Sequence, residues 1–121
     1  MKRIFNSVLK SARSFRYAFK GVAWAIRHEN NFIYHLLATG IAIAAGLWLG
    51  FTRTEWILAT AMAGFVYSAE IFNSAIEKLV DLISPEYHEK AGIVKDLAAG
   101  GVLAAAITAL IVGVIIISNH I

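Results

Sequence analysis

Three long apolar stretches constrain this chain more than any other feature of its sequence. They cover residues 32–51, 56–80 and 97–118. The first and third contain no Asp, Glu, Lys or Arg, and the second contains only Glu70, Glu77 and Lys78. About 20 helical residues cross the roughly 30 Å hydrocarbon core of a bilayer, so each stretch is long enough to span it. The sequence therefore predicts an all-α membrane protein with three transmembrane helices.

The composition argues against a soluble globule. Hydrophobic residues make up 59% of the 121 residues and charged residues 16%, against about 45–50% and about 25% in soluble domains. A short soluble chain needs a largely polar surface, so part of this surface is expected to face lipid. The absence of cysteine excludes disulfides, thiolate metal sites and cysteine nucleophiles. The sequence contains neither a repeat nor a linker, and we interpret residues 1–121 as a single domain.

Residues 1–28 are predicted to form an amphipathic helix on the membrane surface. They contain seven of the eleven Lys and Arg residues and no acidic residue. On a helical projection, apolar side chains from Ile4 to Ile26 form one stripe, whereas Lys10, Arg13 and Lys20 lie on the other side. Such a helix places its apolar face in the lipid and its basic side chains near anionic head groups. Packing of the same face on protein is the alternative.

The joints between the predicted spans are short. Thr54 is the predicted N-cap of the second span, and Ser84 is a predicted N-cap that is followed by a first-turn proline, Pro85, and the acidic Glu86. We expect this second joint to be a short polar helix or a turn.

Lys and Arg are distributed unevenly among the joints. The second joint adds Lys90 and Lys95 to the basic N-terminal segment, whereas the first joint has only Arg53 and the C-terminus has none. The positive-inside rule places the N-terminus and the second joint in the cytoplasm, and three spans carry the C-terminus to the opposite side.

Four polar residues of the second span share one helical face. They are Glu70, Asn73, Glu77 and Asp81. At 1.5 Å per residue, Glu70 lies roughly 20 Å and Glu77 roughly 30 Å along the helix axis from Trp56. The polar face therefore runs from within the membrane toward its cytoplasmic surface. A carboxylate in a span is costly unless it is paired, protonated or facing a polar cavity. Glu70 is therefore the strongest candidate for a functional role.

Further charged residues are expected at the same cytoplasmic end. Glu29 lies at the entrance of the first span, and Lys95 and Asp96 lie at the entrance of the third. Carboxylate and amide oxygens suit Mg²⁺, which takes one or two protein carboxylates together with substrate phosphates, and Lys95 can offset phosphate charge. The arrangement describes an ATP site without a P-loop, since no such sequence occurs. The alternative for Glu29, Glu77 and the Lys95–Asp96 pair is a set of solvated charges at helix ends.

The run Glu70-Ile-Phe-Asn73-Ser-Ala-Ile-Glu77-Lys-Leu-Val-Asp81, followed by Glu86-Tyr87-His88 and Lys95-Asp96, resembles the signature of the prokaryotic diacylglycerol kinase family of small integral-membrane lipid kinases. The resemblance extends from Tyr17-Ala-Phe-Lys20-Gly21 and Glu29-x-x-Phe32 through the third span. It implies a homotrimer in the bacterial inner membrane with active sites between subunits. It also implies transfer of the γ-phosphoryl group of Mg-ATP to a lipid hydroxyl.

The same resemblance assigns roles to individual residues. It implies that Glu70 is the catalytic base, that Glu29 and Glu77 are metal ligands, that Asn73 is a polar site residue, and that Lys95 and Asp96 contact the nucleotide. The acceptor stays open between diacylglycerol and undecaprenol. Proteobacterial diacylglycerol kinases have a carboxylate where this chain has His35, whereas the undecaprenol kinase branch resembles this chain in having a histidine there.

Two other classes of function compete with a kinase. In a small proton-coupled transporter, Glu70 would be the membrane carboxylate that binds a proton or a cationic substrate, and Glu29, Lys95 and Asp96 would not be needed. In a non-catalytic assembly or anchor protein, small-residue faces would pack on partners, and Glu70 would have no role.

Overall fold

The computed structural model describes residues 1–121 and contains four α-helices joined by short connections. These are α1 (Lys2–His28), α2 (Asn30–Leu49), α3 (Arg53–Ile83) and α4 (Glu89–Ser118). The prediction of an all-α chain is confirmed. Both α2 and α4 are long and apolar enough, by length and composition, to cross a membrane. Helix α3 is not one of these two helices, so its crossing of the membrane stays a prediction.

Helix α1 contacts the rest of the chain only near its C-terminal end. Residues 1–22 are exposed, including the apolar face that carries Phe15 and Phe19, whereas Ala25 is buried. The helix ends at Glu29, whose extended backbone separates α1 from α2. The break between the two helices therefore lies at Glu29, and the apolar stripe of α1 is exposed in the single chain.

The joint between α2 and α3 is a tight turn at which two glycines are required. Gly50 takes a left-handed conformation with φ 75° and ends α2 at Leu49, two residues before the predicted limit of the span. A Cβ atom on Gly46 would lie 2.5 Å from the ring of Trp56, so only glycine permits this close packing.

The N-cap of α3 is Thr52, and the prediction of Thr54 is wrong. The Thr52 hydroxyl accepts a hydrogen bond from the Glu55 backbone N–H, and the Glu55 carboxylate accepts one from the Thr52 backbone N–H. This reciprocal pair is a capping box, which satisfies two of the free N–H groups at the start of a helix. A glutamate three residues after Thr52 gives Thr52 the advantage over Thr54.

The second joint also differs from the prediction in its caps. Ser84 ends α3 rather than starting α4, because its N–H donates to the Val80 carbonyl and its hydroxyl donates to the Glu86 carbonyl. The N-cap of α4 is His88, whose Nδ1 accepts from the Lys90 N–H. Consequently α4 starts at Glu89, eight residues before the predicted span, and its first two turns carry polar residues.

Helix α3 is the centre of the fold, since it packs along α4 and also contacts α2 and α1. Ten of the 121 residues are buried, and the apolar ones include Phe32, Val66, Ala105 and Ile116. Most large apolar side chains point outward. Trp48, for example, is 86% exposed. A surface of this kind is expected where lipid surrounds the helices.

A polar contact closes the end of the bundle opposite the second joint. His120 Nε2 lies 2.8 Å from Glu55 Oε1, and the His120 ring stacks on Phe51. Phe51 also packs against Trp56. The last residues of the chain are thereby joined to the first turn of α3.

Candidate active site

Glu70 is the most deeply buried large side chain of the protein, with 1% of its surface exposed. Both of its carboxylate oxygens contact α2. Asn31 Nδ2 donates to Oε1 at 3.3 Å, and His35 Nε2 lies 3.3 Å from Oε2. The interior position predicted for Glu70 is confirmed. Its polar partners come from another helix, in agreement with the rule that a buried carboxylate needs hydrogen-bond partners.

A second layer of polar contacts surrounds His35. The Tyr67 hydroxyl donates to the His35 carbonyl at 3.1 Å, and the Thr39 hydroxyl donates to the same carbonyl at 2.8 Å. The Thr39 and Tyr67 hydroxyls are also 2.6 Å apart. The Tyr67 ring meets the His35 ring edge-on, with centroids 6.2 Å apart. We refer to His35, Thr39 and Tyr67 as the α2–α3 polar cluster.

The next turn of α3 carries two buried side chains without hydrogen-bond partners. Asn73 Oδ1 and Ser74 Oγ are buried and unpaired. Buried polar atoms are satisfied in most proteins, so an unpaired one is informative about a missing partner. Asn73 therefore offers a free acceptor oxygen one helical turn from Glu70.

Glu29 lies at the break between α1 and α2 and faces α3. Its Oε1 atom is buried without a hydrogen bond, and the nearest cation, Lys78 Nζ, is 3.9 Å away. Lys78 Nζ also lies 5.0 Å from the centroid of the Trp24 ring. Lys78 thus connects the end of α1, the start of α2 and α3 at the edge of the site.

The end of the polar face of α3 nearer the second joint meets the start of α4. Lys95 Nζ donates to Asp81 Oδ1 at 2.6 Å. This hydrogen bond, reinforced by the charges of Asp81 and Glu77, raises the pKa of Lys95, which lies before the apolar segment 97–118. Asp96 is exposed and forms no hydrogen bond or ion pair within the chain. Lys95 therefore contacts the predicted polar face of α3 through Asp81, whereas Asp96 does not contact that face.

The oxygen atoms at this site suit a hard divalent cation. Glu29 Oε1 and Asn73 Oδ1 are buried acceptors without donors, and Glu77 is half-buried on the same face of α3. The chain contains no cluster of three or more His, Asp and Glu residues that could hold a metal by themselves. One or two carboxylates are what Mg²⁺ takes when substrate phosphates complete its coordination, so these residues fit that ion.

An apolar groove of about 430 Å³ runs between α2, α3 and α4 and reaches the α2–α3 polar cluster. Its lining is mainly apolar, with alanine as the commonest residue, including Ala42, Ala63 and Ala109, and His35 is among the few polar residues that line it. The apolar groove is therefore lined in part by His35, the side chain that contacts the Glu70 carboxylate.

Several residues of this site were not predicted as site residues from the sequence. Asn31 and His35 could have been found from their spacing. A polar pair at i and i+4 at the start of an apolar span puts both side chains on one helical face. The sequence features that could have identified Tyr67 and Lys78 are weaker. Tyrosine is common in apolar helices, and a lysine beside Glu77 resembles an ordinary charge at a helix end.

Comparison with known proteins identifies relatives along nearly the whole chain. Residues 16–117 match the family model described as prokaryotic diacylglycerol kinase. The undecaprenol kinase of Bacillus subtilis (strain 168) is 33% identical over 111 residues, which cover 92% of this chain and 90% of that protein. The diacylglycerol kinase of Escherichia coli (strain K12) is 34% identical over 116 residues, 96% of this chain and 93% of that protein. The diacylglycerol kinase of Synechocystis sp. is 42% identical over 102 residues, 83% of this chain and 58% of that protein.

Proposed function

This chain belongs to the prokaryotic diacylglycerol kinase family, and we propose that it transfers the γ-phosphoryl group of ATP to the hydroxyl group of a membrane lipid. Its relatives include proteins named for diacylglycerol and for undecaprenol, both of which are lipid alcohols. The lipid kinase hypothesis therefore prevails, whereas the transporter hypothesis gains no support from the relatives. The class of acceptor is a membrane-embedded alcohol, and diacylglycerol and undecaprenol are its two candidates.

The observation that carries this proposal is the environment of Glu70. Its carboxylate is buried and held by two donors from α2 at 3.3 Å each. An ionised carboxylate offers about four acceptor positions, so two contacts leave acceptor capacity for a substrate hydroxyl. Glu70 is thus suited to act as a general base inside the apolar region where a lipid hydroxyl is found.

The proposed reaction is an in-line displacement at the γ-phosphorus atom. The lipid oxygen forms a bond to that phosphorus, the bond from the phosphorus to the β,γ-bridging oxygen breaks, and ADP leaves. The hydroxyl proton passes to the Glu70 carboxylate. Most of the catalytic effect in phosphoryl transfer comes from positioning and from electrostatic stabilisation, which three helices can provide.

We assign Glu29 and Glu77 to the binding of Mg²⁺, and Asn73 to a supporting polar contact. A bound Mg²⁺ would neutralise charge on the phosphates of the nucleotide. Lys95 and Asp96 are assigned to the nucleotide. The Lys95 ammonium now pairs with Asp81 at the start of α4, and phosphate oxygens could replace that carboxylate as its partner.

The groove between α2, α3 and α4 supports a lipid acceptor. Its volume of about 430 Å³ and its apolar lining suit a hydrocarbon chain. Because the groove ends at His35, which contacts Glu70, a lipid whose chain occupied it would present its head group to the base.

We further propose that the protein is a multi-pass homotrimer of the bacterial inner membrane, with its N-terminus in the cytoplasm. In support, seven basic residues precede α2, and the apolar sides of α2 and α4 are exposed in the single chain. Asp96 has no partner within its own chain, as expected if it serves a site shared between subunits. Light-scattering mass measurement of the detergent complex tests the trimer.

Phosphorylation of a defined acceptor tests the activity. Purified protein in lipid or detergent receives γ-labelled ATP, Mg²⁺ and either diacylglycerol or undecaprenol, and the labelled lipid is separated by chromatography. Label in one acceptor identifies the substrate. The absence of label in both acceptors would refute the proposed kinase activity.

A further inference from the structure

We propose that His35 is a positioning residue for Glu70: its Nε2–H group fixes the orientation of the carboxylate that accepts the lipid proton. This inference rests on the proposed function, because it concerns the geometry of the base in that reaction. The contact in question joins His35 Nε2 to Glu70 Oε2 at 3.3 Å.

The chemistry of the two groups decides the direction of this hydrogen bond. A carboxylate that acts as a base is ionised and only accepts hydrogen bonds, so in the proposed reaction the ring nitrogen facing Glu70 carries the proton. His35 is then a donor through Nε2. Asn31 is a donor as well, through its amide nitrogen to Glu70 Oε1. The two donors come from one face of α2 and contact different oxygens, so together they restrain rotation of the carboxylate plane.

The imidazole ring is itself held in place by its surroundings. The Tyr67 ring meets it edge-on, and Tyr67 and Thr39 both donate to the backbone carbonyl of His35. The side chain of His35 keeps only 22% of its surface exposed. A residue whose neighbours restrict both its backbone and its ring can transmit that restriction to a hydrogen-bonded partner.

The contact distances agree with positioning rather than with permanent pairing. Both contacts to Glu70 are 3.3 Å, which is longer than the usual 2.9–3.0 Å of N–H···O bonds. Each contact is therefore weak enough to leave the carboxylate available to a substrate hydroxyl. A base that must be aligned with a reacting group loses rate when its orientation is disordered.

The test compares two amide replacements of different reach. In His35→Gln the side-chain amide nitrogen reaches about as far as Nε2, whereas in His35→Asn it is one methylene shorter. We expect kcat of His35→Gln to stay within about threefold of the parent, and kcat of His35→Asn and His35→Leu to fall roughly tenfold or more. The KM for Mg-ATP should stay unchanged in all three, because none of them alters Glu29, Glu77 or Lys95.

Two measurements separate positioning from a general structural role. Ser68→Ala is the matched control, since Ser68 is exposed on α3 and donates only to the Gly64 carbonyl. In addition, His35→Asn is combined with Glu70→Gln. If His35 acts through Glu70, the double variant is no slower than Glu70→Gln alone, whereas independent roles would multiply the two losses.

The possible results are distinct. A parent protein that phosphorylates neither lipid refutes the proposed function itself. With an active parent, the positioning role is refuted if His35→Asn turns over as fast as the parent, if His35→Gln is as slow as His35→Asn, or if the two losses multiply. The Gln and Asn variants both keep a polar amide that can donate a hydrogen bond, and comparing them with each other decides the matter even where His35→Leu does not assemble.

Discussion

His120 Nε2 lies 2.8 Å from Glu55 Oε1, so the penultimate residue of the chain is hydrogen-bonded to the first turn of α3. Glu55 also accepts from the Thr52 N–H in its capping box. The Thr52 backbone hydrogen bond, followed by the His120 contact, lowers the pKa of Glu55 below its ordinary value. The ionised carboxylate is therefore the form that the folded protein prefers at this position.

This contact predicts a loss of stability in acid. A carboxyl group whose pKa is lowered in the folded state stabilises the fold above the unfolded value of about 4.3, and the contribution is lost as the pH falls through the lower folded value. We expect Glu55→Gln to lower Tm at neutral pH and to flatten its decline below about pH 4.3. Glutamine keeps a side-chain oxygen for the capping box, so the difference reports the charge.

Thermal unfolding in detergent, followed by circular dichroism between neutral and acidic pH, measures this effect. Glu86→Gln is the control, because Glu86 is exposed in the second joint. The same acid-induced loss of Tm in the parent and in Glu55→Gln would show that Glu55 does not contribute.

Glu70→Gln should remove catalysis without removing the fold. If Glu70 accepts the hydroxyl proton, kcat should fall roughly 10²-fold or more. The KM for Mg-ATP should change little, because Glu29 and Glu77 remain. The variant should keep its Tm or gain a little, since a buried charge is replaced by a neutral group that can still accept a hydrogen bond. Steady-state kinetics and thermal unfolding, with Glu86→Gln as the control, check both parts. A stable Glu70→Gln protein with near-parental turnover would exclude Glu70 as the base.

Glu29→Gln and Glu77→Gln should each raise the requirement for Mg²⁺. Both substitutions remove a negative ligand and keep the shape of the side chain. We expect the Mg²⁺ concentration for half-maximal activity to rise about tenfold or more, with partial rescue at high Mg²⁺. The titration of activity against Mg²⁺ is the measurement, and Glu89→Gln, an exposed acid in the first turn of α4, is its control. Titration curves that coincide with that of the parent would show that neither carboxylate is a ligand.

Single cysteines at Ser7 and Ile121 should be labelled from opposite sides of the membrane. The chain has no cysteine of its own, so each label reports one position. Three spans place Ser7 in the cytoplasm and Ile121 outside it. Labelling of intact cells and of inverted vesicles with an impermeant maleimide measures the accessible side. Reaction of both cysteines from the same side would contradict three crossings.

The helices could be predicted from the sequence because hydrophobic length is a local property. The break at Glu29 and the apolar cores of α2 and α4 follow from charge and hydropathy alone. The caps could not be predicted as well. The choice of Thr52 over Thr54 depends on a reciprocal contact with Glu55, and the start of α4 at Glu89 depends on a histidine acting as N-cap, which a preference for Ser, Thr, Asp and Asn does not suggest.

The candidate site divides in the same way. Glu70 could be identified from the sequence because an unpaired carboxylate in an apolar helix is costly wherever the other helices lie. Its partners could not, since the contacts of Asn31 and His35 with Glu70 cross 39 and 35 residues of sequence. The place of Lys78 over Trp24 depends on the packing of α1 against α3. Such contacts follow from tertiary structure and have no periodic signal in the chain.

Because only ten of its 121 residues are buried within the chain, the medium around this protein replaces much of what a core supplies elsewhere. The outward side chains of α2 and α4 meet lipid tails or detergent tails, and these neighbours differ in length and order. Helix α2, with 20 residues, is about 30 Å long, close to the thickness of a bilayer core. A thinner bilayer or a short-chain detergent would leave one end of α2 unmatched and would favour tilting. The stability of the folded protein therefore depends on the surrounding bilayer or detergent. The same sequence can differ in stability from one amphiphile to another without the loss of any contact within the chain.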